Sequence, residues 1–153
     1  MNTRLVVSLL CLGAAAYACG PRPHTDPAAA ATAARTRMPN EPALASSLDV
    51  SVGAGVRFAL HVTNTTDRRL ELNFPSGQTH EFVVLDASGR EVWRWSADRM
   101  FTQALQNRLV DSRETVTYEE TWKPGEMRGT FTAVGTVRSD NYPVETRVEF
   151  TLP

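Results

Sequence analysis

From Leu48 onward apolar residues recur at every second position. In "VRFALHVTN" Val56, Phe58, Leu60 and Val62 share one face, and Arg57, Ala59, His61 and Thr63 share the other. Successive side chains leave a pleated strand in opposite directions, so strict alternation predicts a strand with one buried side. The same period runs through "RRLELNF", "HEFVVLD", "EVWRWS", "ETVTYEETW", "GTFTAVGTVRS" and "VETRVEFTL". "NTTDR" is turn-forming and predicts a hairpin between the first two of these segments. "DASG" predicts a second hairpin, with Gly89 free to take a positive φ. No segment carries a 3.6-residue stripe of full helix length, although "MFTQALQNRLV" has room for a turn or two of helix.

About seven to eight short strands punctuated by Gly, Pro, Asn and Asp predict an all-β chain. The architecture expected is an antiparallel β-sandwich of immunoglobulin-like type. The Cys…Trp…Cys spacing of antibody domains is absent, so the expectation concerns architecture alone. A small closed barrel is the alternative.

The first residues follow a different logic. "MNTRLVVSLLCLGAAAYACG" has a basic residue at Arg4, an apolar run from Leu5 to Ala16, and small residues before Cys19. This is the layout of an export signal, and the run is too short for a bilayer core that needs ~20 residues. Ala16-Tyr17-Ala18 fits cleavage by ordinary signal peptidase. With Cys19 the same residues resemble a bacterial lipobox, although Tyr17 stands where a small residue is usual. Cys11 would be lost with the signal, leaving Cys19 alone at the cut, and acylation gives it a role. The expected division is a signal over 1–18, a flexible Pro/Ala-rich linker over 19–45, and a sandwich domain over 46–153. The linker holds Pro21, Pro23, Pro27, Pro39 and Pro42 and has no apolar period, so it buries too little to offset its ordering entropy.

Net charge is -1, with no basic excess of the kind that phosphate binding requires. Nucleic acid is not an expected partner. Of the histidines, His24 falls in the linker, His61 on a polar strand face, and His80 at a strand start without metal-ligand spacing. No nucleophile, P-loop or dinucleotide motif appears. Glu119 and Glu120 are strand neighbours, so they point to opposite faces and make no close acid pair. No enzyme activity, cofactor or metal is expected.

The remaining candidate chemistry is apolar. Trp93 and Trp95 lie two apart and face the same way, opposite to Val92 and Arg94. One or both belong to a core; alternatively Trp95 borders a recognition loop, "SADRMFTQAL". Met100 and Phe101 either plug the open end of the sandwich or anchor a protein partner. Trp95, Met100 and Phe101 are therefore the candidate protein-binding residues.

The block "ELNFPSGQTHEFVVLDASGREVWRWSADRMFTQAL" resembles the BsuPI-type intracellular proteinase inhibitor family. The match rests on Phe74, Ser76-Gly77-Gln78, Glu81-Phe82, Asp86, Gly89, Val92 to Ser96, and Phe101 to Leu105. The resemblance implies an all-β domain, inhibition of a subtilisin-like serine proteinase, and no catalysis of its own. It assigns no inhibitory loop. The expectation is an exported, lipid-anchored monomer that binds a protein, with a serine proteinase as the implied partner and the membrane met only through Cys19. The alternative is an extracytoplasmic adaptor or structural domain of the cell envelope without inhibitory activity.

Overall fold

The computed structural model describes residues 42–153. The expected signal, Cys19 and most of the linker lie outside the described residues.

Nine strands follow one another, with no helix among the described residues: β1 (Leu44–Val52), β2 (Val56–Asn64), β3 (Leu70–Phe74), β4 (His80–Asp86), β5 (Glu91–Arg94), β6 (Gln106–Val110), β7 (Thr115–Trp122), β8 (Gly129–Val137) and β9 (Val144–Leu152). They form one sheet in the order β1-β2-β7, a second in the order β5-β4-β8-β9, and a ribbon of β3 with β6. All pairs are antiparallel.

The two larger sheets meet through the alternating residues that the sequence marks. Val56, Phe58, Leu60 and Val62 of β2 are all buried, as are Phe82 and Val84 of β4. Phe58 lies 5.7 Å from Phe82, 5.6 Å from Trp93 and 6.1 Å from Phe150, so one ring of the first sheet touches three strands of the second. Aromatic side chains bury large areas, and each such pair adds about 0.5–1.5 kcal/mol beyond burial. Ser46 on β1 and Thr146 on β9 share a hydrogen bond of 2.6 Å, which ties the sheets together along one side.

The antiparallel β-sandwich is therefore as expected, with nine strands rather than seven or eight. The two additional strands are β1 and β6. β1 does alternate, with Leu44, Ser46, Leu48 and Val50 turned inward, but Ser46 interrupts the apolar face and only Leu44 and Leu48 are fully buried. It also begins two residues before position 46, where the sequence places the start of the domain. β6 occupies the stretch read as room for a helix; only Val110 of it is buried, and pairing with β3 from Leu70↔Val110 to Phe74↔Gln106 fixes it as a strand.

The hairpin expected between β2 and β3 does not form. β2 pairs with β1 and β7, and β3 crosses to the ribbon. The cause is Asn64, whose side chain is fully buried at the crossing. Its amide donates to the carbonyls of Arg68 at 2.8 Å, Val110 at 3.1 Å and Asp111 at 2.8 Å, and its Oδ1 accepts from Thr66 N at 2.9 Å. One side chain thus satisfies carbonyls on two separate segments, which a two-stranded hairpin would not bring together.

The β4–β5 hairpin does form. Asp86 Oδ1 accepts from Ser88 N at 2.9 Å and Arg90 N at 3.0 Å, and Gly89 turns the chain at φ 81°. The Ser88 hydroxyl, foremost, and the Arg90 amide hold the Asp86 carboxyl down to about 2. Pairing shifts by one residue between Val84 and Leu85. This bulge turns Val92 toward the core beside Trp93, where strict alternation would have sent it outward.

Candidate protein-binding site

The β4–β5 hairpin stands at the centre of the block that carries the resemblance, and one carboxylate organises the residues around it. Glu81 sits on the outward side of β4, yet it is only 4% exposed. Its Oε2 accepts from Gln78 Nε2 at 2.9 Å, from Arg94 Nη1 at 3.3 Å, and from the Ser96 hydroxyl. Its Oε1 accepts from the Ser96 amide at 3.2 Å. A buried carboxylate needs such partners, because isolated charge is costly away from water. Arg94 and Ser96 flank Trp95 in sequence, so Glu81 grips the chain on both sides of that indole. Trp95 N also donates to Phe82 O at 2.9 Å.

The two tryptophans therefore face inward together while Arg94 faces outward to its carboxylates. Trp93 stacks on Phe58 at 5.6 Å and on Trp122 at 6.0 Å, which makes it part of the core. Trp95 is partly buried and has another set of neighbours. Its ring stacks on His80 at 4.2 Å, and His80 in turn lies 4.7 Å from Tyr118 of β7. The stack thus joins the end of β5, the start of β4 and the edge of the opposite sheet.

Among the described residues the buried side-chain polar atoms without a hydrogen-bond partner are His80 Nε2, Trp95 Nε1 and Tyr118 Oη. All three belong to this one stack. Polar atoms withdrawn from water favour a partner, and these three gather at one seam between the sheets. His80 Nε2 has Glu120 Oε1 at 3.6 Å, within reach of its charge but too far for a hydrogen bond. Glu120 stands on the inward face of β7 between Tyr118 and Trp122, opposite to Glu119, which points outward to Arg57 at 2.7 Å. The charged groups around His80 are Glu120, Glu81 and Arg99, and burial, the largest influence, pushes its imidazole below the ordinary value of 6.5. Burial likewise pushes the Tyr118 phenol up, against the pull of Arg108.

The segment after Trp95 folds back onto the indole. Ser96 O accepts from Arg99 N at 3.1 Å. The Arg99 guanidinium lies 4.5 Å above the Trp95 ring, its Nε donates to Trp95 O at 3.2 Å, and its Nη2 lies 3.4 Å from Glu120. Phe101 packs on the same indole at 5.5 Å. Met100 stands between these two clamped neighbours and is 100% exposed. Gly77 N donates to Thr102 O at 2.9 Å, and a Cβ on Gly77 would lie 2.6 Å from Thr102 Oγ1. The Ser76-Gly77-Gln78 turn is therefore fitted to the loop on one side and to Glu81 on the other.

The structure brings Trp95 and Phe101 together and places Met100 beside them, facing solvent. Phe101 is half-buried against Trp95, whereas Met100 does not plug the sandwich. Sequence reasoning passed over His80, Glu120 and Arg99. In the sequence His80 reads as the polar start of a strand, and nothing in its neighbourhood signals that β7 packs over it. His61 lies on the outer face as expected, with Nδ1 2.9 Å from Thr117 Oγ1 and Nε2 3.3 Å from Asp49. No group of three or more His, Cys, Asp and Glu that could hold a metal exists among the described residues.

The family model described as BsuPI, intracellular proteinase inhibitor, matches residues 44–142. The chain belongs to the BsuPI intracellular proteinase inhibitor family. The match spans every strand that builds the site, from β1 to the turn after β8. Family membership makes this a domain of proteinase-inhibitor type, with a proteinase as the implied partner. No match was found among curated proteins. Among solved structures, a protein assigned as ApaA from Bordetella pertussis is 19% identical over 74% of this chain and 96% of its own, at a TM-score of 0.44. A β-glucosidase from Erythrobacter marinus is 15% identical over 71% of this chain and 16% of its own, at 0.37. The β-glucosidase DesR from Streptomyces venezuelae is 8% identical over 72% of this chain and 15% of its own, at 0.39. None of these reaches a TM-score of 0.5, and none bears on function.

Two predictions follow from the packing. Gly77→Ala should destabilise the domain by about 1–3 kcal/mol through its clash with Thr102 Oγ1. Adding Thr102→Ala should recover most of that loss, read from urea midpoints; an additive double variant would show that the two residues do not touch. His80 protonates near 6.5 when unfolded and at lower pH when folded, so between those values the unfolded chain holds the extra proton. Stability should accordingly fall as pH drops through 6.5 and level off below the folded value. His80→Phe should flatten that part of a melting-temperature profile, and an unchanged slope would contradict the burial argument.

Proposed function

We propose that this protein is an exported, lipid-anchored inhibitor of a subtilisin-like serine proteinase, which it binds through the loop from Ser96 to Leu105. The observation that carries the reading is Met100, wholly exposed while both of its neighbours are packed on Trp95. A loop held in one shape before binding gives up little conformational entropy when a partner closes on it. Trp95, Met100 and Phe101 are the proposed contact residues, with Phe101 supporting the loop from beneath as well as bordering the partner.

The family is named for an intracellular inhibitor, and export rests on the N-terminal sequence alone. The basic Arg4, the apolar run that follows and Cys19 support a signal with an acylated cysteine, and the Pro/Ala-rich segment that precedes β1 would supply a tether. A second reading, an envelope adaptor without inhibition, draws on another surface. Leu105 is 82% and Leu109 55% exposed beside the β3–β6 ribbon, where they offer an apolar contact independent of Met100.

Titrating the purified protein into a subtilisin-like proteinase should abolish its activity stoichiometrically. Phe101→Ala should weaken inhibition about 10-fold or more with the fold retained. A proteinase that stays fully active, or that digests the protein, favours the adaptor. Separately, Cys19→Ser should release the protein from the membrane fraction, and unchanged partitioning would end the lipoprotein reading.

A further inference from the structure

We infer that Met100 is the side chain that fills the primary specificity pocket of the target proteinase, so the loop is read as a substrate is read. This rests on the inhibitor function proposed above and names the residue that sets its specificity.

The argument begins with what surrounds Met100. Its neighbours in the loop are small, polar or turned inward: Ala97, Asp98, Gln103 and Ala104 offer no long apolar side chain. Between Arg99 and Ala104 the apolar surface on offer is the thioether of Met100, 100% exposed, with Phe101 half-buried below it. A single exposed apolar residue is ordinary on a protein surface. What is unusual is the effort spent on either side. Arg99 is held at three points: above the Trp95 ring at 4.5 Å, on Trp95 O at 3.2 Å, and beside Glu120 at 3.4 Å. Phe101 lies on the same ring at 5.5 Å, and Thr102 is tied to Gly77 at 2.9 Å. The residues beside Met100 are thus fixed on both sides, and the fixing groups lead back to Glu81 and to the stack of His80 and Tyr118. Leu105, the other strongly exposed apolar residue nearby, is held differently: Gln106 beside it is paired with Phe74 in the ribbon, and no aromatic ring is packed by its neighbours.

A rigid base that carries one protruding, unbranched apolar side chain suits a deep and narrow apolar slot. Methionine adapts to such a slot because its three rotatable bonds and polarizable sulfur tolerate imperfect walls. A flat protein surface would draw affinity from several neighbouring anchors, and the loop crest offers one. Serine proteinases read substrates through a single pocket of this kind, apolar in some and carrying a carboxylate in trypsin. The occupant is therefore separable from its base: exchanging residue 100 should change which proteinase is inhibited and leave the fold alone.

The test compares the unaltered protein with Met100→Leu, Met100→Asp and Met100→Arg, each against a subtilisin-like proteinase and against trypsin. Melting temperatures should agree throughout, since residue 100 touches nothing. Met100→Leu should keep inhibition of the subtilisin-like enzyme within about 10-fold, Met100→Asp should lose about 100-fold or more, and Met100→Arg should lose it and gain inhibition of trypsin. Unchanged inhibition by Met100→Asp and Met100→Arg would overturn the inference and leave the inhibitor reading standing. Loss on the subtilisin-like enzyme with no gain on trypsin, or rapid cutting at residue 100 without inhibition, would also overturn it. If the unaltered protein inhibits no proteinase, the inhibitor reading itself fails and the inference falls with it.

Discussion

The functional face depends on the fixed position of one indole. Trp95 leaves the end of β5 and lies across the seam between the two larger sheets, stacked on His80 and covered by Arg99 and Phe101. An aromatic pair is worth about 0.5–1.5 kcal/mol and a cation over a ring about 0.5–2 kcal/mol, so no single contact on this ring is decisive. Their value lies in convergence. Glu81 holds the residues on either side of Trp95, and Trp95 holds the residues on either side of Met100. Two tiers of clamping carry order from a buried carboxylate to an exposed side chain.

That order has a cost which the rest of the sandwich offsets. The Phe58 cluster and the aliphatic faces of β2, β4 and β8 are closely packed with apolar side chains. At the seam, His80, Trp95 and Tyr118 bring polar atoms into contact without pairing them. A sandwich built for stability alone would place phenylalanine and leucine there. Glu120, which also lies beside His80, gives Arg99 an acidic partner on the opposite sheet and ties the loop across the seam.

The sequence displayed the strands whose buried residues alternate and hid those whose residues do not. β2, β3, β7, β8 and β9 follow the period of two, and the β4–β5 hairpin announces itself through Asp86 and Gly89. In β1 the inward Ser46 breaks an otherwise alternating apolar face, and β6 buries only one residue, so for β6 the deciding information lies in its partner strand. The turn chemistry of Asn64 to Asp67 is real, but the same residues serve a hairpin or a crossing, and only the carbonyls of Val110 and Asp111 decide between them. At the site, Trp95, Met100 and Phe101 stood out as large apolar residues in a loop. Arg99, His80 and Glu120 did not, because polar residues at strand ends are ordinary until long-range packing gathers them. The residues of the family resemblance gain a physical explanation here: Gln78, Glu81, Arg94 and Ser96 form one hydrogen-bond network, and Gly77 leaves room for Thr102.

The central claim is that Trp95 holds the loop rigid in the free protein. Backbone ¹⁵N relaxation of residues 99–102 tests it most directly. Order parameters near ~0.85, equal to those of the neighbouring strands, and a fall toward ~0.6 in Trp95→Leu are the expected result. Values already below ~0.6 in the unaltered protein would show a loop that takes its shape only on binding, and would contradict the account.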